Sequence, residues 1–478
     1  MAWLNIEKGE DFDITGANLR ANLNTISATT VNIYDDGEST LLNATNIFTA
    51  LSSTQYLNLS EMNLFNSTVK CNYSYKFISN TIQDISGLET LNPSKVNLYY
   101  MFYNCANLKN VSGLDLGQYS DLSLTFYNCF NLTDSVFNNT TNLDKAVNLG
   151  NTFMNCKNLT TFPFNYFPNA SNMTYICYGC NNISGHLYLN CPNLHGTSDA
   201  GASFIGTNIS SLDLDWIVDF GSSTSYARVQ GFSHCYNLTD VNANIYCTSN
   251  SMDVGSLFFN CYNLVNVNMN FHNIARAGSL FSNCQKLTIE NYYFDKISSL
   301  DGCFKNCKNI KHLNITTNTT SKCTIDTAFA NMDNVLTITF PANVGYISSA
   351  FANDFNLTSV DIGNILCTYY GGDGLGWAFY ECRNLQYINC DTMQLTTISL
   401  YINNVKNMFY NCNNLSAETI DKVINGMLNA NIYNKNTYSN CLYNLNNANI
   451  NSIFYGTNID NSRYSARIEE LSAKGFYW

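Results

Sequence analysis

Charge is scarce in this sequence. Lysine, arginine, aspartate and glutamate make up only 12% of 478 residues, about half the share usual in globular proteins, so solubility has to come from amides and hydroxyls. Stretches such as Asn138-Asn139-Thr140-Thr141 and Asn446-Asn447-Ala448-Asn449 supply them. The few charges sum to −12, with a pI near 4.8, and no cluster of lysine and arginine could neutralise several phosphates in a row. Nucleic acid is therefore excluded as a partner. No apolar run approaches the length of a membrane-spanning helix, so no membrane insertion is expected. The segment Met1–Asp11 lacks the basic start and apolar stretch of an export signal, which predicts synthesis in the cytoplasm and release, if any, by a route that needs none.

The signatures of chemistry are equally thin. Five histidines are scattered at 186, 195, 234, 272 and 312. No nucleophile elbow, phosphate loop or His-x-x-x-His pair is present. The one glycine-dense stretch, Gly371 to Gly376, has neither the lysine nor the following helix that phosphate binding needs. Carboxylates stand singly, which leaves no acid and base pair. The expectation is a protein that is not an enzyme, with no catalytic residue, no cofactor and no metal.

What the chain does have is repetition. A seven-residue phrase, Phe-x-Asn-Cys-x-Asn-Leu, recurs as Phe102–Leu108, Phe126–Leu132, Phe153–Leu159, Phe258–Leu264 and Phe409–Leu415. Further copies start at Phe232, Phe281, Phe304, Phe329, Phe351 and Phe379, and two degenerate ones at Cys177 and Phe204. The thirteen starts lie 22 to 30 residues apart, the period of a leucine-rich repeat. After the phrase comes an aliphatic pattern, as in Ile310-x-x-Leu313-x-Ile315 and Val335-x-x-Ile338-x-Phe340. Its second half alternates with period two and reads as a short strand with one buried face. The predicted fold is an α/β solenoid of about 13–15 coils, one short parallel strand per repeat, with turns near Gly117, Pro341 and Gly363 and a helical C-terminal cap.

Such a repeat cannot bury its apolar face alone, so each column of the phrase acquires a task only on stacking. Phenylalanines should form an aromatic spine. Asn107, Asn131, Asn158, Asn237, Asn263, Asn309, Asn334, Asn356, Asn384 and Asn414 are expected to form an interior amide ladder between successive coils. Cysteine holds the fourth position in ten of the thirteen copies, replaced by Thr207, Met332 and Asp354. That exchangeability argues against disulfides or metal and for a compact buried side chain.

The ends differ from the middle. Residues 1–76 carry no clear phrase and are read as a capping or attachment region with degenerate repeats, in which Leu19, Leu23 and Ile26 have helical spacing and Val31-Asn32-Ile33 alternates like a strand. Residues 77–415 form the solenoid. Residues 416–478 form a cap of two helices and a last degenerate repeat: Ser416 would cap a helix burying Ile420, Val423, Ile424 and Met427, and a second, over about 462–474, would turn Ile468 and Leu471 inward and end at Gly475 before a strand at Phe476–Trp478.

The phrase, often preceded by Ala or Met as in Ala328-Phe329 and Met101-Phe102, closely resembles the BspA-like leucine-rich repeat over about residues 77–459. That resemblance implies a leucine-rich-repeat fold and adhesion to host proteins or cells. The stacked strands would align their outward positions as columns, making Asn242, Asn266, Asn268, His312, Asn314, Thr337, Thr339, Ser359, Asp361, Tyr387 and Asn389 the candidate ligand-binding residues. With no export signal, the leading expectation is a virion appendage of a phage, a tail fibre or receptor-binding protein. Its partners would be a host cell-surface protein or glycan, other virion proteins, or copies of itself in a homo-oligomer such as a trimer. The alternatives are a bacterial or protist cell-surface adhesin and a structural decoration protein of a virion.

Overall fold

The computed structural model describes residues 12–15, 30–34, 56–61, 81–91, 93–94, 97–195, 203–219, 227–228, 231–248, 252–366, 375–394, 407–429, 457 and 461–474. The chain divides into two compact units, one of residues 1–238 with 242–248, the other of residues 239–241 with 249–478. Each is a stack of coils, as the repeat period demands.

The phrase builds one arc of every coil. Its third residue has a left-handed backbone in all thirteen copies, with φ between 59° and 76°. The residue two places before the phrase is also left-handed in the eleven copies where it is described. Between these kinks the backbone amides alternate in direction: Phe102 and Asn104 donate to Thr125 and Tyr127 of the next coil at 2.9 and 2.8 Å, whereas Cys105 donates back to Phe102 at 3.1 Å. Alternation satisfies every second amide through stacking, so a single coil would leave those groups unpaired. Left-handed backbone costs a residue with a Cβ roughly 1–2 kcal/mol. Asparagine tolerates it best and fills nine of the thirteen positions; Gly179 and Gly206 avoid the penalty altogether, and His234 and Glu381 carry it at φ 62° and 63°.

The aromatic spine forms within each unit. In the first, Phe102, Phe126 and Phe153 stack at 5.1 and 5.5 Å with rings within 9° of parallel. In the second, Phe304, Phe329, Phe351, Phe379 and Phe409 continue at 6.0, 5.3, 5.0 and 5.2 Å. Coil spacing near 4.8 Å and a slight ring offset account for these distances. Where Cys177 replaces phenylalanine, Phe162 enters from the side and meets Phe153 at 6.3 Å and Phe204 at 5.2 Å, edge to face. The void left by the short residue is thereby filled.

Strands line the next arc. Among the described residues eleven, from Asp84–Ser86 to Tyr387–Asn389, follow the aliphatic pattern, and they pair in parallel, for example Thr337–Tyr346 with Ser359–Leu366. In the first unit Phe12–Thr15, Thr30–Tyr34 and Tyr56–Glu61 pair in chain order ahead of Asp84–Ser86, so parallel pairing begins before the clear phrases do. The expected alternation of Val31-Asn32-Ile33 is a strand; the helical spacing of Leu19, Leu23 and Ile26 lies outside the described residues.

One strand per repeat is not kept everywhere. After Phe126 the pattern forms a 3₁₀ turn, Asp134–Phe137, and no named strand follows Phe153 in the next coil. There the Asp134 carboxylate accepts the amides of Thr160 and Thr161 at 2.9 and 3.3 Å and so replaces the missing ladder. The expected turns at Pro341 and Gly363 are also corrected, because both lie inside strands. Pro341 sits where the register shifts between Phe340 and Asn343, a bulge that needs no amide from it. A Cβ on Gly363 would meet the Pro341 carbonyl at 2.7 Å, so glycine there admits a close backbone rather than a reversal. Gly117 does lie in a short 3₁₀ turn, Leu116–Gln118.

At the C-terminal side, helix α1 spans Ala417–Leu428 and α2 spans Asn461–Lys474. Ser416 Oγ accepts the Thr419 amide at 3.2 Å, the capping geometry expected of it. Ile420, Val423 and Ile424 are buried. Thr419 covers the open edge of the last strand, its hydroxyl donating to the Gln386 carbonyl at 2.9 Å and accepting the Ile388 amide at 3.2 Å. Asp421 of α1 holds Arg467 of α2 at 2.8 Å. The side chains of Met427, Ile468 and Leu471, and residues 475–478, lie outside the described set.

Candidate functional site

Three columns that the repeat conserves are committed to holding coils together. The thiols are hydrogen-bond donors, not merely filler. Cys129, Cys156, Cys180, Cys284, Cys307, Cys382 and Cys412 each reach the carbonyl of the preceding phrase phenylalanine at 2.9 to 3.2 Å. Thr207 instead turns its hydroxyl to its own phrase, donating to the Phe204 carbonyl at 2.8 Å. Burial pushes the thiols of Cys129, Cys156, Cys284, Cys307, Cys382 and Cys412 up, and that of Cys235 in the same column to about 11, which favours the protonated, donating form. Among the described residues none of the sixteen cysteines is in a disulfide, and no group of three or more His, Cys, Asp or Glu side chains is placed to hold a metal.

Asp354 is the exception in that column. It is fully buried, accepts the Met332 amide at 2.7 Å, and has no partner for its second oxygen. Burial, the largest cause, and the nearby Asp333 charge both raise its pKa well above the ordinary carboxylate value. The fold therefore favours the neutral form of this carboxyl.

Two amide ladders exist, and the better buried one was not anticipated. The left-handed third residues link directly: Asn128 donates to Asn104 at 2.9 Å, Asn155 to Asn128 at 2.8 Å, Asn283 to Asn260 at 2.6 Å and Asn353 to Asn331 at 2.9 Å. The expected column lies further out. Asn107, Asn158, Asn237, Asn309, Asn334, Asn356, Asn384 and Asn414 are exposed, and Asn131 and Asn263 half-buried. Its amides still bridge coils, from Asn131 to the Ala106 carbonyl, Asn334 to Lys308 and Asn356 to Asp333 at 2.7 to 3.0 Å. Asn158, Asn237 and Asn414 reach side chains or carbonyls in the same manner, and Asn309 reaches Lys286 at 3.3 Å. An interior position is thus corrected to a rim position. Exchange of the third residue with glycine at 179 and 206 was the available signal for the inner ladder.

The strand faces are what remains. In the second unit His312, Thr337, Ser359 and Tyr387 pair as one column, and Asn314, Thr339, Asp361 and Asn389 as another. Hydrogen bonds run along them: His312 Nδ1 with Thr337 at 2.9 Å, Thr339 to Asp361 at 3.5 Å, and Asn389 to Asp361. Asn266 and Asn268 are exposed on Asn266–His272, where Asn266 donates to Asp240 at 2.7 Å. Val267 and Met269, the aliphatic positions of that strand, are only half-buried.

In the first unit Asn242 is exposed on Asp240–Cys247, one member of a larger face. The twelve-residue strands Ser184–His195 and Asn208–Asp219 place His186, Tyr188, Asn190, Asp213 and Asp215 there. Alternation of Leu187, Leu189 and Cys191, and of Leu212, Leu214 and Trp216, was the signal for these residues, weakened by the degenerate phrases that precede them. His186 touches Ser211 through Nδ1 at 2.9 Å and Asp213 through Nε2 at 3.6 Å. These are the residue types of a hydrolytic triad with the two ring nitrogens in exchanged roles. Imidazole and carboxylate are 53% and 43% exposed on an open face, and we assign them no catalysis.

The repeats match the family described as BspA type leucine rich repeat region, in six copies over residues 98–198, 255–371 and 295–437, more than half of the chain. The chain belongs to the BspA-type leucine-rich repeat family. None of the curated proteins compared with it is a match. Among solved structures, a leucine-rich repeat protein from Bacteroides ovatus is similar at 15% identity and a TM-score of 0.37, covering 65% of this chain and 79% of that one. A leucine rich cell surface protein from Faecalibacterium prausnitzii is similar at 13% identity and a TM-score of 0.32, covering 81% and 92%. The buried columns belong to the repeat phrase of this family, and the outward strand positions vary from coil to coil within the chain. Among the described residues no helix is long and apolar enough to cross a membrane.

Proposed function

We propose that this BspA-type protein is a non-catalytic recognition protein that acts as a cell-surface adhesin, contacting a protein or glycan of a host cell through its strand faces. One observation carries the reading: the repeated phenylalanine, cysteine and asparagine columns are spent on joining coils, whereas the outward strand positions keep hydroxyls, amides and rings exposed in register. A surface of this kind offers adaptable hydrogen bonding beside rigid aromatic contact area. Family membership adds the expectation of adhesion. The virion reading drawn from the sequence has no support in the comparisons, and we do not carry it forward.

The test is direct. Purified chain at about 1 μM, a working range for adhesive contacts, is expected to bind host cells saturably. Replacing Asn314 and Tyr387 by lysine, or Tyr188 and Asp215 by alanine, should weaken binding while thermal unfolding is unchanged. Absence of saturable binding overturns the role.

A further inference from the structure

The long strands of the first unit hold a more specific arrangement than a polar face. Asn190 lies opposite Asp215 in the parallel ladder, and Asn244 donates to Asp215 Oδ1 at 3.1 Å. The three therefore form a row, amide, carboxylate, amide, across neighbouring strands. Tyr166 extends it through a parallel bridge to Asn190. At about 4.8 Å per strand, the row of four spans about 14 Å, the length of a short oligosaccharide and not of one sugar.

Rings surround the row. Tyr188 precedes Asn190 by two residues on the same strand face and receives its amide at 3.4 Å. Tyr246 follows Asn244 by two on its own strand. Tyr166, Tyr188 and Tyr246 are 48%, 38% and 45% exposed. No lysine or arginine occurs in 184–195, 208–219 or 240–247, and Asp213 and Asp215 give the face negative charge.

We infer that this face is a binding site for a neutral oligosaccharide, with Tyr166, Tyr188 and Tyr246 as stacking platforms around Asn190, Asp215 and Asn244. A sugar ring has one face of C–H groups, electropositive against the negative face of an aromatic ring, and an edge of hydroxyls. A carboxylate accepts from two hydroxyls, and an amide both donates and accepts, so the row matches vicinal diols. With no lysine or arginine on these strands, Asp213 and Asp215 repel sialylated, uronic and sulfated chains, which points to a neutral class. This inference rests on the recognition role and names its ligand.

The experiment uses the full chain and soluble probes: neutral glucose-, galactose- and mannose-based oligosaccharides, with sialylated and sulfated counterparts, followed by saturation-transfer NMR and titration. At least one neutral series should bind saturably, with acidic counterparts roughly tenfold weaker, and Y188A and Y246A should each lose about tenfold. D215N, which keeps shape and loses the charged acceptor, should lose about fivefold. All three positions are exposed or half-buried, so unfolding midpoints should not move, and Glu418→Gln on helix α1, an exposed position with no part in a strand face, should leave sugar binding intact. No neutral probe binding at about 10 mM, binding indifferent to Y188A, Y246A and D215N, or tighter binding of the sulfated series overturns the assignment. If the chain binds cells and no neutral sugar competes, the glycan assignment falls and the recognition role stands. If it binds neither, both fall.

Discussion

Within a single coil of the second unit, the arc from Phe304 to Ile310 and the arc from His312 to Thr317 answer to opposite demands. On the first, Phe304, Cys307 and Ile310 are buried, Asn306 is left-handed, and the Cys307 thiol and the Phe304 and Asn306 amides all engage a neighbouring coil. On the second, only Leu313 and Ile315 are buried, and His312, Asn314 and Thr316 face outward. Stacking dictates the first arc atom by atom, because a wrong residue disturbs the coils on both sides. It dictates only every other position of the second. That asymmetry is why one arc repeats and the other varies.

The largest effect expected from breaking the first arc comes from the spine. Phe351 is completely buried between Phe329 and Phe379, at 5.3 and 5.0 Å. Phe351→Ala should cost about 3–5 kcal/mol in chemical unfolding, from lost transfer energy plus the cavity it leaves. A loss under about 1 kcal/mol would mean that neighbouring coils close over the gap as Phe162 does beside Cys177, and that the spine is less demanding than its repetition suggests.

Asp354 tests the thiol column next. Asp354→Leu strands the Met332 amide and should cost about 1–3 kcal/mol. Asp354→Asn keeps an acceptor and should be much milder. The pH dependence gives the sharper contrast. The folded pKa is raised above the unfolded one, so the contribution of Asp354 is complete below the ordinary carboxylate range and is lost as pH rises through the raised value. Within that interval unfolding free energy should fall by up to about 1.4 kcal/mol per pH unit. Asp354→Asn should abolish that component, measured below about pH 8 so that thiols released on unfolding stay protonated. Identical slopes in both proteins would show that Asp354 is already ionised in the fold.

The inner amide ladder separates conformation from hydrogen bonding. Asn306 has φ 61° and donates to Asn283. Asn306→Ala should cost about 1–2 kcal/mol, mostly for a Cβ in left-handed backbone. Asn306→Gly removes the same amide and should recover most of that loss. Equal losses in the two would assign the stabilisation to the ladder bonds instead.

These residues also mark how far the sequence could be read. Period, spine, parallel strands and the Ser416 cap were legible because each depends on a pattern that recurs or on a short-range hydrogen bond. The roles of the two asparagines were not, since spacing records that a residue repeats and carries no sign of its φ; only Gly179 and Gly206 encode that. The strand faces were partly legible in the second unit, where intact phrases fix the register of His312, Thr337, Ser359 and Tyr387. In the first unit Cys177 and the shortened copy at Phe204 hid the register, and with it Tyr188, Asp213 and Asp215. The missing strands after Phe126 and Phe153 were hidden too, because Asp134 looks like any other polar residue until its carboxylate is found on the Thr160 and Thr161 amides.

The smallest effect bears on the second arc. Thr339 lies half-buried between Asn314 and Asp361 in its column, and its bond to Asp361 is long at 3.5 Å. Water can replace such a bond with little loss, so Thr339→Ala should shift unfolding free energy by no more than about 0.5 kcal/mol, near the limit of denaturant titration. The value of so small a number lies in its pairing with Phe351→Ala, twelve residues further along the chain and on the neighbouring coil. If the outward columns were themselves needed for cohesion, Thr339→Ala would approach the cost of losing a buried hydrogen bond, about 1 kcal/mol or more, and the strand face could not be varied without unfolding cost. A negligible shift means that these positions are free to be chosen for contact, which is the condition a recognition surface has to meet.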